Sequence, residues 1–121
     1  MAETKLLGLR TVIYAAPDLI RTKEWYAKAL GIEPYFDQPF YVGFNVGGYE
    51  LGLDPNVQVA DGSTLMYWGV ADIDATLQHF LDLGASLHTQ IQNVGDGISV
   101  AAVKDPFGNV VGLIENPHFS L

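Results

Sequence analysis

Residues 103–115 read VKDPFGNVVGLIE, which is the pattern of two strands joined by a tight turn. The central residues 104–109 gather Asp, Pro, Gly and Asn within six positions. Proline pre-sets φ for a turn, glycine accepts a positive φ, and Asp and Asn side chains bond to their own backbone. Runs rich in β-branched residues lie on both sides, at 98–103 and 110–114. The stretch therefore predicts a hairpin that closes the fold.

The composition of the 121-residue chain predicts one globular domain, since 49% of the residues are hydrophobic and 17% are charged. The absence of cysteine excludes disulfides, thiolate metal sites and a cysteine nucleophile. The net charge is −8, and the few Lys and Arg residues form no basic stripe of the kind that nucleic-acid binding needs. The apolar runs are shorter than the ~20 residues of a membrane span, and residues 1–5 do not resemble a signal peptide. We therefore expect a cytoplasmic protein with no nucleic-acid or membrane partner.

The first half of the chain predicts a strand, a helix and three further strands. A strand is expected at 6–16, and a helix then opens at Pro17-Asp18, with Asp18 as the N-cap, and ends at Gly31. A short strand at 32–36 is followed by a break at 37–39. Strands at 40–46 and 49–53 are joined by Gly47-Gly48, a two-residue hairpin signal.

That hairpin turn sets the register of the two strands, with Val46 opposite Tyr49 and the last pair formed by Tyr41 and Asp54. Opposed residues share a face. One face is therefore apolar and should lie under the helix, and the other must face solvent or a pocket. The apolar face carries Val42, Phe44, Leu51 and Leu53, and the other carries Tyr41, Gly43, Asn45, Glu50, Gly52 and Asp54.

The second half repeats the first after a loop at 54–63. Residues 14–19 (YAAPDL) match residues 68–73 (WGVADI) at an offset of 54. A strand is expected at 65–70, a helix from Asp72 to Gly84, and strands at 87–94, 98–103 and 110–114. Because neither half can bury both faces of its own sheet, the halves must combine.

Three segments at these spacings resemble the vicinal oxygen chelate superfamily, which includes glyoxalase I, bleomycin-resistance proteins and extradiol dioxygenases. They are TVIYAAPDL with EWYAKALGI (11–19 and 24–32), YWGVADIDATLQHFLDLGA (67–85) and VKDPFGNVVGLIEN (103–116). The resemblance implies an α+β fold of two βαβββ modules, 6–54 and 64–116, whose curled mixed sheets form a cleft in a single domain. It also implies a homodimer, which an exposed sheet face in so apolar a chain favours independently.

Metal-dependent members of that superfamily place ligands at four strand positions, which fall here on Thr11, Glu50 or Gly52, Leu65 and Gly112. Divalent metals in such sites prefer imidazole and carboxylate ligands. Leu65 and Gly112 have no donor atom in their side chains, and one carboxylate cannot hold a metal ion. We therefore predict neither a metal nor another cofactor. A slip of one residue offers no better donors: Arg10, Thr64 or Met66, and Val111 or Leu113.

The three histidines do not restore a metal site. His79 is expected on the surface of the second helix, His88 in a strand and His118 in the C-terminal tail, and nothing in the sequence brings them together. Whether His88 or His118 reaches the cleft stays open at this point.

The resemblance, with the alternation of side chains along strands, predicts which residues line the cleft. A polar wall and a largely apolar wall suit a flat or aromatic ligand held by a few polar contacts. Glu50 is a weak candidate for catalysis, since a dry cleft would raise its pKa and make it a base; the alternative is a solvated strand carboxylate. The predicted ligand-binding residues are Thr11, Tyr41, Asn45, Glu50, Leu65, Tyr67 and Gly112.

The leading hypothesis is a metal-free protein that binds a hydrophobic or aromatic organic molecule, in the manner of resistance proteins that sequester a drug. The alternative is a metal-dependent or metal-free lyase, isomerase or dioxygenase of the same superfamily, so catalysis stays undecided. A third interpretation is an interaction module without a small ligand.

Overall fold

The computed structural model describes residues 4, 5, 7, 9–59 and 65–120, and the chain divides into two compact units between Gln58 and Val59. Each unit contains one strand–helix–strand–strand–strand module, so the predicted α+β fold of two βαβββ modules is confirmed. The first module consists of β1 (Thr11–Ala15), α1 (Leu19–Leu30), β2 (Phe36–Gln38), β3 (Tyr41–Val46) and β4 (Tyr49–Asp54). The second consists of β5 (Tyr67–Gly69), α2 (Ile73–Asp82), β6 (Ser86–Gly95), β7 (Ile98–Lys104) and β8 (Val110–Glu115).

The sheet of the first module has the strand order β1-β4-β3-β2, with β1 parallel to β4 and the other neighbours antiparallel. Its helix begins and ends as the sequence predicts. The Asp18 carboxylate accepts a hydrogen bond from the backbone N–H of Arg21 at 3.2 Å, which caps the first turn. Gly31 ends the helix in the left-handed conformation, with φ of 70°.

The hairpin of β3 and β4 has the predicted register. Gly47 and Gly48 both take positive φ, and the ladder pairs five of the six predicted partners, ending one pair short at Val42 and Leu53. The predicted apolar face is almost completely buried, and α1 contacts both strands. The opposite face therefore carries Glu50, as the alternation requires.

The short strand β2 lies later in the chain than the sequence suggested, so a strand at 32–36 with a break at 37–39 is wrong. Phe36, Asp37 and Gln38 pair with β3, and the turn that follows is made by Pro39 and Phe40. Proline at the second position of a turn has its φ already set, which explains why the chain reverses there. The backbone N–H of Tyr35 donates to Gly43 at 3.0 Å, which brings Tyr35 up to the sheet just before the strand begins.

The two module-opening strands are shorter than predicted. β1 covers Thr11–Ala15 rather than 6–16, because β4 starts at Tyr49 directly after its turn and its ladder with β1 cannot extend far toward residue 6. β5 covers Tyr67–Gly69 rather than 65–70. Leu6 and Gly8, which belong to the first predicted strand, and Thr64, the first residue of the predicted second module, lie outside the described residues.

The second sheet has the order β5-β8-β7-β6, with β5 parallel to β8. Its closing hairpin is held by the buried Asp105, whose carboxylate accepts from the backbone N–H groups of Phe107 and Asn109 at 2.9 and 2.8 Å. Gly108 in the same turn has φ of 100°. The residues of the DPFGN sequence therefore stabilise the turn. Neither helix in the described part of the chain is long and apolar enough to span a membrane.

Candidate functional site

The carboxylate of Glu50 lies at the centre of a cluster of hydroxyl groups on the polar face of the first sheet. Thr11 Oγ1 and Tyr41 OH both donate to Glu50 Oε1, at 2.7 and 2.6 Å, and Tyr35 OH donates to Oε2. The four residues come from β1, the segment before β2, β3 and β4. We call Thr11, Tyr35, Tyr41 and Glu50 the hydroxyl cluster.

Backbone register and two glycines make this convergence possible. β1 runs parallel to β4 with Thr11 directly opposite Glu50. A Cβ atom at Gly43 would lie 2.7 Å from Glu50 Oε2 and 3.1 Å from the ring of Tyr35. A Cβ atom at Gly52 would lie 1.8 Å from the hydroxyl oxygen of Tyr41. Both tyrosines therefore occupy space that a side chain at these positions would fill.

The hydrogen bonds decide the charge of Glu50. Partial burial on its own would raise the pKa of the carboxyl, but the hydroxyls of Tyr35, Tyr41 and Thr11 together outweigh it and leave the pKa lowered. The pKa is therefore lowered rather than raised as it would be in a dry cleft, and Glu50 is ionised at neutral pH. Burial, followed by the bond to Glu50, raises the pKa of Tyr41 to about 12, and the bond to Glu50 raises that of Tyr35.

The carboxylate of Glu50 retains capacity for one more hydrogen bond. A carboxylate offers about four acceptor positions, two on each oxygen. Oε1 accepts from Thr11 and Tyr41, whereas Oε2 accepts from Tyr35 alone among the described residues. No Lys or Arg of the described chain forms an ion pair with Glu50. The remaining position on Oε2 is thus available to a donor from outside the protein.

A pocket of about 230 Å³ lies beside Glu50. Exposed aromatic side chains continue from the cluster along β2 and its turn: Tyr35 is 63% exposed, Phe36 37% and Phe40 62%. The Phe36 ring lies 6.0 Å from that of Phe40 and 6.2 Å from that of Tyr41, centroid to centroid. The polar centre therefore borders an accessible aromatic surface. The pocket is lined by Arg10, Tyr35, Asn45, Gly48, Tyr49 and Glu50.

A larger groove, of about 740 Å³, lies near the N-terminus of α1. Apolar residues and prolines make up most of its lining, and its charged pair, Lys23 and Asp37, is already joined at 3.0 Å. It contains none of the predicted site residues. Size alone would favour this groove, but the arrangement of chemical groups favours the smaller pocket.

Three predicted site residues belong to the second module. Leu65 and Tyr67 are exposed, whereas Gly112 is buried opposite Tyr67 in the ladder of β5 and β8. A Cβ atom at Gly112 would lie 2.3 Å from the carbonyl oxygen of Met66 and 2.8 Å from the Tyr67 ring. This position therefore has no room for a side chain of any kind, a metal ligand included.

The residues at the superfamily's metal-ligand positions do not fit a metal ion. Leu65 and Gly112 supply no donor, and no group of three or more His, Asp or Glu side chains in the described ranges is arranged to hold one. The described histidines have other contacts: His88 Nδ1 lies 2.9 Å from the Thr89 hydroxyl, and His118 Nε2 donates to the carbonyl of Asp96 at 2.8 Å.

The structure brings together Thr11, Tyr41 and Glu50 of the predicted set, and Asn45 lines the adjoining pocket while its side chain accepts from the N–H of Gly48 at 2.9 Å. Sequence reasoning missed Tyr35, because it assigned residues 32–36 to a strand. The available signal was Gly43, which shares the face of Glu50 and leaves a gap that a neighbouring side chain must fill.

Comparisons with known proteins agree with this architecture. A family profile described as Glyoxalase/Bleomycin resistance protein/Dioxygenase superfamily matches residues 8–113. The fold is similar to that of a glyoxalase-related enzyme from Fulvimarina pelagi (18% identity, TM-score 0.77, 96% of this chain and 93% of that one). It is also similar to a lactoylglutathione lyase from Agrobacterium tumefaciens (19%, TM-score 0.74, 96% and 100%) and a glyoxalase/bleomycin resistance protein from Albidiferax ferrireducens T118 (17%, TM-score 0.73, 90% and 98%). No curated protein sequence matches.

Proposed function

Since the chain belongs to the glyoxalase/bleomycin resistance protein/dioxygenase superfamily, we propose that it binds a small organic molecule without the help of a metal ion. The binding site is the pocket beside the hydroxyl cluster, together with the aromatic side chains of β2 and its turn. The ligand has an aromatic or other hydrophobic part, which these side chains cover, and a polar group, which Glu50 orients.

The observation that carries this proposal is the environment of Glu50. Three hydroxyl groups from three separate elements hold one carboxylate in a single orientation, with an acceptor position still open. Preorganised polar groups of this kind give a pocket its specificity, because they need not reorganise when the ligand arrives. The exposed rings of Tyr35 and Phe40 supply apolar contact area at low cost in side-chain entropy.

The metal-free part of the proposal is supported by the chemistry of the available donors. Catalytic zinc sites commonly use three protein ligands. Of the positions that the resemblance to metal-dependent members of the superfamily implies, Glu50 alone offers a carboxylate here, and Thr11 is already bonded to it. Gly112 has neither a donor nor space for one.

The alternative is a lyase, isomerase or dioxygenase of the same superfamily. Such an enzyme would need Glu50 as a general base in a metal-free reaction, or as a ligand. A carboxylate with a lowered pKa is a poor base at neutral pH, because a base works best when its pKa lies near the working pH. Binding is therefore the better-supported function.

An NMR titration of the isotope-labelled full chain tests the proposal. The probes are one-ring and two-ring aromatic compounds of positive, zero and negative charge. We expect at least one probe to shift the amide signals of β1, β3, β4 and Tyr35. Glu50→Gln should weaken that binding about tenfold, the scale of a hydrogen bond to a charged group, whereas Glu24→Gln, which removes a carboxylate from the exposed side of α1, should leave it unchanged.

Two results would contradict the proposal. One is a set of shifts that maps outside this face for every probe, or no shifts at all. The other is binding that appears only after nickel, zinc, iron(II) or manganese is added to metal-stripped protein, which would favour the enzyme alternative.

The homodimer stays a prediction as well. We expect size-exclusion chromatography with light scattering to give about twice the 13.2 kDa mass of the chain. A mass of one chain at every concentration tested would show that the exposed apolar residues do not serve self-association.

A further inference from the structure

We infer that the group bound at Glu50 is a protonated amine carried by an aromatic ring. This inference rests on the proposed binding site and specifies the chemical class of its ligand.

The remaining capacity of the carboxylate favours a donor that is charged. Glu50 is ionised and forms no ion pair in the described chain, so neutral hydroxyl groups stabilise its negative charge but no cation neutralises it there. An ammonium group on Oε2 would add a charge-assisted hydrogen bond, which is about twice as strong as one between neutral groups. An anionic ligand group would be repelled from the same position.

The aromatic surface favours the same class of ligand. The rings of Tyr35, Phe36 and Phe40 are accessible, and the Tyr35 hydroxyl that bonds Glu50 places its ring directly beside the carboxylate. Aromatic faces attract cations, and they also stack against the ring of a ligand. An amine joined to a ring by a short linker can therefore reach the carboxylate and the ring of Tyr35, which lines the same pocket, together.

The size of the pocket and the charge of the protein limit the ligand further. A volume of about 230 Å³ is below the usual range of about 300–1,000 Å³ for ligand pockets, so it accommodates a single ring with a short substituent. A net charge of −8 attracts cations to the protein as a whole. The cation at the pocket, Arg10, donates weakly to the carbonyls of Leu7 and Leu9 at 3.4 Å and does not pair with Glu50.

Three probes that share a phenylethyl group test the inference by NMR titration at neutral pH: phenethylamine, phenethyl alcohol and 3-phenylpropionate. We expect the amine to bind about tenfold more tightly than the alcohol, and the carboxylate not to saturate the site. Glu50→Gln should abolish the preference for the amine, and Glu24→Gln should preserve it. Arg10→Gln should strengthen amine binding about twofold, since it removes a like charge from the pocket.

A salt titration of the unmodified protein keeps the test independent of any variant. Raising the salt to about 0.5 M, where charges beyond roughly 4–5 Å are screened, should weaken amine binding more than alcohol binding. The inference is overturned if 3-phenylpropionate binds as tightly as the amine, or if Glu50→Gln retains the preference. Equal binding of amine and alcohol, lost in Glu50→Gln, would overturn the inference and leave the proposed function standing. If neither these probes nor the wider set bind at this face, both fail.

Discussion

The two modules share one order of elements and differ in the chemistry of equivalent positions. Ile13 pairs with Gly52 in the first module, and Tyr67, 54 residues after Ile13, pairs with Gly112 in the second. In both, a tyrosine occupies the space over the glycine: Tyr41 over Gly52, and Tyr67 over Gly112. Among the described residues, however, only the first module has a carboxylate that accepts hydrogen bonds from three hydroxyl groups. The repeat thus preserves the backbone, and the polar site is a feature of one copy.

The glycine–tyrosine pairs also differ in how rigid they are. The atom nearest to a Cβ at Gly112 is the backbone carbonyl oxygen of Met66, directly before β5, whereas the nearest atom at Gly52 is the far end of the Tyr41 side chain. A backbone atom can move only with its chain segment, but a tyrosine can turn about its side-chain bonds. Gly112 is therefore required by the fold, whereas Gly52 is required by the hydroxyl cluster.

The largest expected effect separates these two roles. Gly112→Ala should lower the free energy of unfolding by about 3 kcal/mol, because the added methyl group overlaps the backbone of Met66. Gly52→Ala should cost about 1 kcal/mol and weaken ligand binding about tenfold, because Tyr41 must leave Glu50. Urea denaturation measures the stability of the two variants, and the NMR titration measures their ligand binding. Equal losses of stability would show that the two glycines are equivalent.

The second comparison concerns the hairpin turns. Asp105→Ala should cost about 2 kcal/mol, since it removes three hydrogen bonds from a buried turn, the third from the Asn109 side chain at 3.1 Å. Asn45→Ala should cost about 0.5 kcal/mol, because its single bond to Gly48 lies at an exposed turn. Thermal unfolding of the two variants checks the ranking, and the reverse order would mean that the Gly47-Gly48 turn limits stability.

Those two turns also show why much of the fold could be predicted from the sequence. Gly47-Gly48 and residues 104–109 are local signals that specify register, and Asp18 and Gly31 specify the ends of a helix. The position of β2 could not be predicted in the same way. An edge strand of three residues has no periodicity of its own, and its bounds depend on pairing with β3.

Part of the candidate site could also be predicted from the sequence. Alternation from the hairpin placed Glu50 on the correct face, and the resemblance added Thr11. The pKa of Glu50 could not be derived, because its direction depends on three hydroxyl groups that meet only in the folded chain. Tyr35 illustrates the limit, since it is distant from Glu50 in sequence and reaches it through the gap at Gly43.

Removing the hydroxyl group of Tyr41 should affect ligand binding more than removing that of Tyr67. Tyr41→Phe should weaken phenethylamine binding about three- to tenfold, because it removes a hydrogen bond that holds and polarises the carboxylate. Tyr67→Phe should leave the affinity unchanged, since the three hydroxyl groups bonded to Glu50 in the described chain are those of Thr11, Tyr35 and Tyr41. The NMR titration of the binding proposal measures both. If both variants bind the amine like the wild type, the hydroxyl cluster does not support the ligand site.

The smallest expected effect is the pH dependence of stability. Glu50 has a folded-state pKa below its ordinary value of 4.5, so its hydrogen bonds stabilise the fold fully above that value, and the contribution is lost as the pH falls through the lowered pKa. The stability difference between wild type and Glu50→Gln should therefore shrink on acidification below pH 4.5. It should be small, because Glu50 lies near solvent, where water screens its interactions. Tyr67→Phe, which removes a hydroxyl in the other module, should follow the wild-type pH curve. Tyr41→Phe should lose less stability on acidification than the wild type, because one hydrogen bond fewer favours the charged form and the folded pKa of Glu50 then lies closer to its unfolded value. If the pH curve of Tyr41→Phe is identical to that of the wild type, the hydroxyl cluster does not control the charge of Glu50. The two modules would then differ at this site in shape and not in electrostatics.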